Sequence, residues 1–154
     1  INFYSCKTQM NQGTPNDYFQ FPTDILNKKF DGELALSKLQ QYFAEENIGN
    51  ALMEKSVFVG MGDLIRTEAL YRAKIHPESL VNNIPEKKLI FLIISAVNFA
   101  DELVEHFKND EVNSKALIFE KKMCPKDKSE IQISISTETN RKIYICPKCQ
   151  KFFK

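Results

Sequence analysis

Glycine and proline are scarce, with five and six residues in a chain of 154. So little of either excludes collagen-like and linker-like chains. Long apolar runs are missing as well. The longest, Leu89 through Ile94, has six residues, against the roughly 20 that a membrane-spanning helix needs, so no membrane partner is expected. The first ten residues have neither a basic start nor an apolar core, and no signal peptide is expected there. Cysteine is limited to four residues. In a Lys-rich chain that number fits a reducing, intracellular compartment, nuclear or cytoplasmic. The rest is ordinary for a soluble globular protein: 43% hydrophobic and 27% charged residues, enough to exclude disorder as the main state. The length suits one domain, or two small ones sharing an interface.

The net charge of +1 hides an asymmetry. Residues 121–154 hold nine basic and three acidic side chains, a charge of +6, and residues 1–120 carry −5. A basic end on a mildly acidic body points to a surface for a polyanion, or to a solvated Lys-rich tail. Residues 1–21 are polar, with no confident element, and Ile1 in place of Met suggests a fragment whose upstream part is missing. Pro22 to Leu26 reads as a short helical start. Asp31 can cap a helix reaching Glu46, with Leu34, Leu36, Leu39, Tyr42 and Phe43 at near-helical spacing. Asn47 to Asn50 breaks it, and a turn of helix over Ala51 to Lys55 is expected.

Asp63 is a suitable cap for a helix from Leu64 to about Lys74, buried through Leu64, Ala69, Leu70 and Tyr71. His76-Pro77 stops it. Ile84-Pro85-Glu86 starts the longest helix, to about Phe107, with a stripe of Leu89, Ile93, Val97 or Ala96, Ala100, Leu103 or Val104, and Phe107. The added Ile90, Leu92 and Ile94 suggest burial on more than one face. Lys108 to Ser114 reads as a polar linker. Alternating Ile131, Ile133 and Ile135, then Ile143 and Ile145, predict two short strands joined by a turn at Ser136 to Asn140.

Cys146-Pro147-Lys148-Cys149 can present two thiolates to one tetrahedral ion. Cys124 and Asp127 stand upstream, with 18 residues between Asp127 and Cys146. That spacing fits a zinc finger, except that Asp replaces one Cys. Zinc accepts carboxylate oxygen at about 2.0–2.2 Å and thiolate at about 2.3 Å. Three readings stay open: structural zinc on Cys124, Asp127, Cys146 and Cys149; zinc with another fourth ligand, such as Cys6, a His or water; or a hairpin that folds without metal. A module of about 40 residues rarely holds together on a hydrophobic core alone. The fold expected is therefore mainly α with a small β-hairpin finger. Residues 1–21 form an irregular segment, 22–112 a helical domain and 113–154 the finger.

The stretch from Val59-Gly60-Met61-Gly62-Asp63 through Glu68-Ala69-Leu70-Tyr71 to Ile75-His76-Pro77 resembles the helix–two-turn–helix of the formamidopyrimidine-DNA glycosylase / endonuclease VIII family. Asn140 to Lys151 resembles the second half of that family's zinc finger, and the order of the two agrees. The resemblance implies a base-excision DNA glycosylase with AP-lyase activity, acting on duplex DNA with a damaged or abasic site. It implies that Arg141, five residues before Cys146, grips phosphate, with Lys142 beside it, and that Gly60 and Gly62 let backbone approach phosphate. The alternatives are a solvated hairpin charge and a plain tight turn. Asp63 falls where the family has Asn. As an anion it accepts hydrogen bonds and repels phosphate, which favours a capping role over DNA contact. Glu68 and His76 read as packing and capping residues.

The resemblance also marks an absence. The family's nucleophile is an N-terminal amine followed by Glu, carried on a β-sandwich, and this chain opens Ile1-Asn2. No catalytic residue is expected in it. It reads as the DNA-binding part of such an enzyme, inactive alone and served by a separate N-terminal catalytic segment. The competing reading is a catalytically inactive protein-interaction or DNA-binding module of the same descent.

Overall fold

The computed structural model describes residues 21–107, 115–136 and 140–154. Residues 1–21 except Phe21, with Cys6 among them, the linker from Lys108 to Ser114, and the centre of the Ser136 to Asn140 turn lie outside the described residues. The described elements are α1 (Gly32–Tyr42), α2 (Ile48–Ala51), α3 (Asp63–Ala73), a 3-10 turn (Val81–Asn83), α4 (Glu86–Phe107), β1 (Gln132–Ile135) and β2 (Lys142–Ile145). This is a mainly helical body followed by a two-stranded hairpin. None of the described helices is long and apolar enough to cross a membrane.

Asp31 caps α1, its carboxylate accepting from the Leu34 amide at 2.9 Å. The helix ends earlier than expected, at Tyr42, and Tyr42 is exposed instead of joining the apolar stripe. Asn47 does not break the chain there. Its side chain accepts from the Asn50 amide and starts α2, one turn upstream of the Ala51 to Lys55 expectation. Gly49 lets α2 press on the chain after α3: a Cβ there would lie 3.0 Å from both Cβ and O of Pro77. Pro22 to Leu26 forms no helix. It runs beside Val59, with Ile25 N–H donating to Val59 O and Val59 N–H to Thr23 O, both at 3.1 Å. These bonds pin the segment that enters the Gly60 turn.

Pro85 leads into α4, and its carbonyl accepts the Leu89 amide at 3.2 Å. The helix buries one broad face through Leu89, Leu92, Ile93, Ala96, Phe99, Ala100 and Leu103. Burial on a second face is not found: Ile90, Phe91 and Ile94 are exposed. Each fully buried large apolar side chain contributes about 1.5–3 kcal/mol. Much of that face covers α3, which is buried nearly all round because α4 lies on one side and the finger on the other. Arg72 clips the two helices together. Its guanidinium makes paired bonds to Glu102, at 3.2 and 3.1 Å, and sits 4.5 Å from the Phe99 ring centre.

The hairpin is antiparallel, with Gln132 opposite Ile145 and Ile135 opposite Lys142. Its apolar alternation does not mark a buried face along its length. Ile131 and Ile145 are buried, but Ile133 and Ile135 are exposed. At the base, a small core of Tyr71, Ile118, Cys124, Ile131, Tyr144 and Cys146 joins the finger to α3. Beyond it, Lys151 pairs with the end of α3: His76 N–H donates to Lys151 O at 2.9 Å and Lys151 N–H to Lys74 O at 3.0 Å.

Candidate nucleic-acid interface and metal centre

Gly60 adopts φ +83°, a left-handed conformation that costs a residue with a side chain, and a Cβ there would also crowd Ile25 at 3.3 Å. The bend delivers the chain to α3. Gly62, not Asp63, is the N-cap, and no side chain caps the helix. Asp63 is the first helical residue, which corrects its expected capping role. A Cβ on Gly62 would meet nothing within 4 Å, so the head of α3 is open at this point. Bare amide groups and the helix dipole make such an end favourable to an anion.

The hairpin brings Arg141 to the same place. Its Nη1 lies 2.9 Å from Asp63 Oδ2, although the two residues are 78 positions apart. Arg141 is about half exposed. Thus Gly60, Gly62, Asp63 and Arg141 share one neighbourhood. Lys142 contributes its backbone: its carbonyl accepts from Arg66 Nη2 at 2.9 Å, while the residue is exposed.

Arg66 went unnoticed in the sequence, where it is one more cation in a helix. It is 1% exposed, and its Nη2 also lies 3.0 Å from Asp63 Oδ1. That second contact is coulombic only, because Asp63 Oδ1 receives no hydrogen bond; Arg66 Nη1 has no hydrogen-bond partner either. Burial pulls the guanidinium below its ordinary pKa, Asp63 pushes it back up, and Arg141 lowers it further.

Glu68, also fully buried, accepts three backbone N–H groups at 2.9 Å, from Leu117, Ile118 and Phe119. It caps the loop that enters the finger. His76 packs edge-on against Phe152, and its Nδ1 accepts the Glu78 amide at 3.3 Å. Burial lowers its pKa, with Glu78 opposing.

Cys124, Asp127, Cys146 and Cys149 converge at the hairpin base, their ligand atoms all within 4.8 Å of one another. This group can hold a metal ion. Three thiols and one carboxylate supply the four donors of a tetrahedral site. Asp127 is oriented by Ser129, whose hydroxyl and N–H both donate to Oδ1, leaving Oδ2 3.3 Å from Cys149 Sγ and 3.5 Å from Cys146 Sγ. Those Ser129 bonds hold the Asp127 carboxyl well below the usual range. Burial and the bond to Asp127 push the Cys149 thiol up to about 12. Burial also pushes Cys124 up, but the bonds from Tyr71 and from the Asp127 and Lys126 amides outweigh it and leave that thiol lowered.

A helical body whose glycine-rich helix head meets an arginine on a Cys/Asp-based hairpin defines a class of two-part modules. The description "Formamidopyrimidine-DNA glycosylase H2TH domain" matches residues 22–116. The chain belongs to that family. It is 30% identical over 151 residues to Endonuclease 8-like 2 of Mus musculus, covering 96% of this chain and 44% of that protein. A viral DNA glycosylase structure superposes with a TM-score of 0.73 at 30% identity, over 84% of this chain and 50% of that one. The Lactococcus lactis formamidopyrimidine-DNA glycosylase bound non-covalently to DNA containing an AP site shares the fold, with a TM-score of 0.74 at 24% identity, over 84% of this chain and 49% of that one. The chain thus spans about half the length of the relatives it matches.

Proposed function

We propose that this chain is the DNA-gripping part of a base-excision DNA glycosylase/AP lyase, and that it holds damaged or abasic duplex through the phosphate backbone. The observation that carries this reading is the meeting of Arg141 with the open head of α3 at Gly60 to Asp63. One phosphate would receive bare amide groups from below and a guanidinium from the hairpin. Such contacts fix position on the strand without reading sequence. The excess of basic residues in the finger supports the same partner.

Base removal and strand cleavage belong, in this reading, to a separate N-terminal segment, since the chain covers 44% of Endonuclease 8-like 2 of Mus musculus and 50% of the viral DNA glycosylase. We assign zinc to Cys124, Asp127, Cys146 and Cys149, on the chemistry of that donor set. The ion would tie the hairpin base together and supply folding energy, with no part in bond cleavage.

The test is equilibrium binding to an abasic-site duplex across a salt series. Affinity should fall as salt rises, and Arg141→Ala should cost about 1.5–3 kcal/mol, the scale of a hydrogen bond to a charged group. Unchanged affinity on that substitution would count against the reading. Absence of binding even at low salt would favour an interaction module that has lost DNA. Borohydride treatment of the isolated chain with abasic DNA should trap no covalent adduct, and an adduct would move the chemistry into this chain.

A further inference from the structure

We infer that Asp63 is a built-in competitor for the DNA phosphate, occupying Arg141 in the free protein and positioned for this by the buried Arg66. The inference rests on the DNA-gripping reading and adds a control on the same site. Asp63 Oδ2 sits 2.9 Å from Arg141 Nη1, the guanidinium that the phosphate would need. Asp63 Oδ1 sits 3.0 Å from Arg66 Nη2.

Arg66 is nine-tenths buried and more, and Nη2 is tied to the Lys142 carbonyl at 2.9 Å, so it cannot follow Asp63 outward. It therefore fixes two things together: the first turn of α3 and the strand residue next to Arg141. Its Nη1 remains without a partner. Asp63 and Arg141 are only partly covered, at 32% and 48% exposure, so their pair can open to an incoming anion. A phosphate oxygen reaching Arg141 must then either displace the carboxylate or sit beside it, and like charges in contact are repelled. Asn at this position would keep the size, lose the charge and gain a donor. Asp63 is thus a positioning residue that holds Arg141 at the helix head while weakening the grip.

The experiment uses the full chain, an abasic-site duplex and anisotropy titrations over a salt series. Asp63→Asn should tighten binding about five- to tenfold, and should steepen the slope of log affinity against log salt by about one phosphate's worth. In an Arg141→Ala background the same change should gain clearly less, since the competitor would have no guanidinium to release and only the direct repulsion and the added donor would remain. Thermal melts of each variant, with Asp63→Ser as a second charge-free substitution, separate loss of fold from loss of competition.

Equal or weaker binding by folded Asp63→Asn and Asp63→Ser, beside a wild type that binds, would overturn the inference alone. A gain of equal size in the Arg141→Ala background would overturn it too, because the effect would not pass through Arg141. If neither wild type nor variant binds duplex at low salt, the DNA-gripping reading fails and this inference goes with it. Binding by the variant where the wild type shows none would support both.

Discussion

The hydroxyl of Tyr71 lies 3.3 Å from the Sγ of Cys124, joining the middle of α3 to the first donor of the metal group. The contact is buried. Burial and the neighbouring sulfur both push the phenol pKa up, so Tyr71 stays protonated and can donate to the Cys124 sulfur. A group that donates to a metal ligand sets its orientation and electron density, and losing such a group commonly costs 10- to 100-fold in metal affinity. The same bond makes the Cys/Asp group and α3, whose head meets Arg141, mechanically one unit.

Tyr71→Phe keeps the ring and removes only this bond. Zinc affinity, read by competition with a chromogenic chelator, should fall about tenfold. The helical content should not change. Full retention of affinity would mean that the Tyr71 hydroxyl packs beside Cys124 without tuning it.

Asp127→Cys should move affinity the other way. The substitution turns three thiols and a carboxylate into a four-thiolate set, the commoner arrangement for a structural zinc finger. Cobalt loaded into the variant should show stronger sulfur-to-metal charge-transfer absorption than in the wild type, and zinc should resist chelation longer. An unchanged cobalt spectrum would place Asp127 outside the coordination sphere, with Ser129 holding it there.

Local chemistry was readable in the sequence. Asp31 caps α1 as expected because a cap needs only the three residues after it. The two short strands and the four converging donors follow from alternation and spacing. The resemblance supplied Gly60, Gly62 and Arg141. What stayed hidden depends on partners far along the chain. Arg66 is defined by a carbonyl 76 residues away, and Glu68 by amides 49 to 51 residues away, and neither leaves a local signature. Asp63 stands one residue inside the helix head that the sequence predicts, because a bare Gly62 takes the cap position and frees Asp63 to reach Arg141. Ile90 and Ile94 are exposed for a related reason: apolar character does not by itself mean burial, and helix periodicity cannot say whether a second layer covers that face.

Glu68→Gln tests how the finger is docked. The carboxylate meets three amide donors in a fully buried setting. An amide in its place turns one acceptor into a donor that faces other donors. Such a buried mismatch at a charged site costs about 3 kcal/mol. Urea denaturation should show that loss, and hydrogen exchange should show the amides of residues 117–119 losing protection before the core of α4. Protection lost evenly across the chain would mean that the finger and the body unfold only as one.

His76 gives the fold a pH dependence with a definite sign. Burial lowers its pKa from 6.5, and Glu78 only partly offsets this, so the folded state favours the neutral ring. A depressed value contributes stability above the unfolded pKa, and that contribution is lost as pH falls through the folded value. The neutral form is also the one whose Nδ1 can accept the Glu78 amide, and protonation would set a donor against that donor. Between about pH 7.5 and about pH 5 the wild type should therefore lose more stability than His76→Gln, which is neutral throughout. Urea midpoints at the two pH values measure the difference. A larger loss in the variant would show that protonated His76 finds a better partner than neutral His76, reversing the sign.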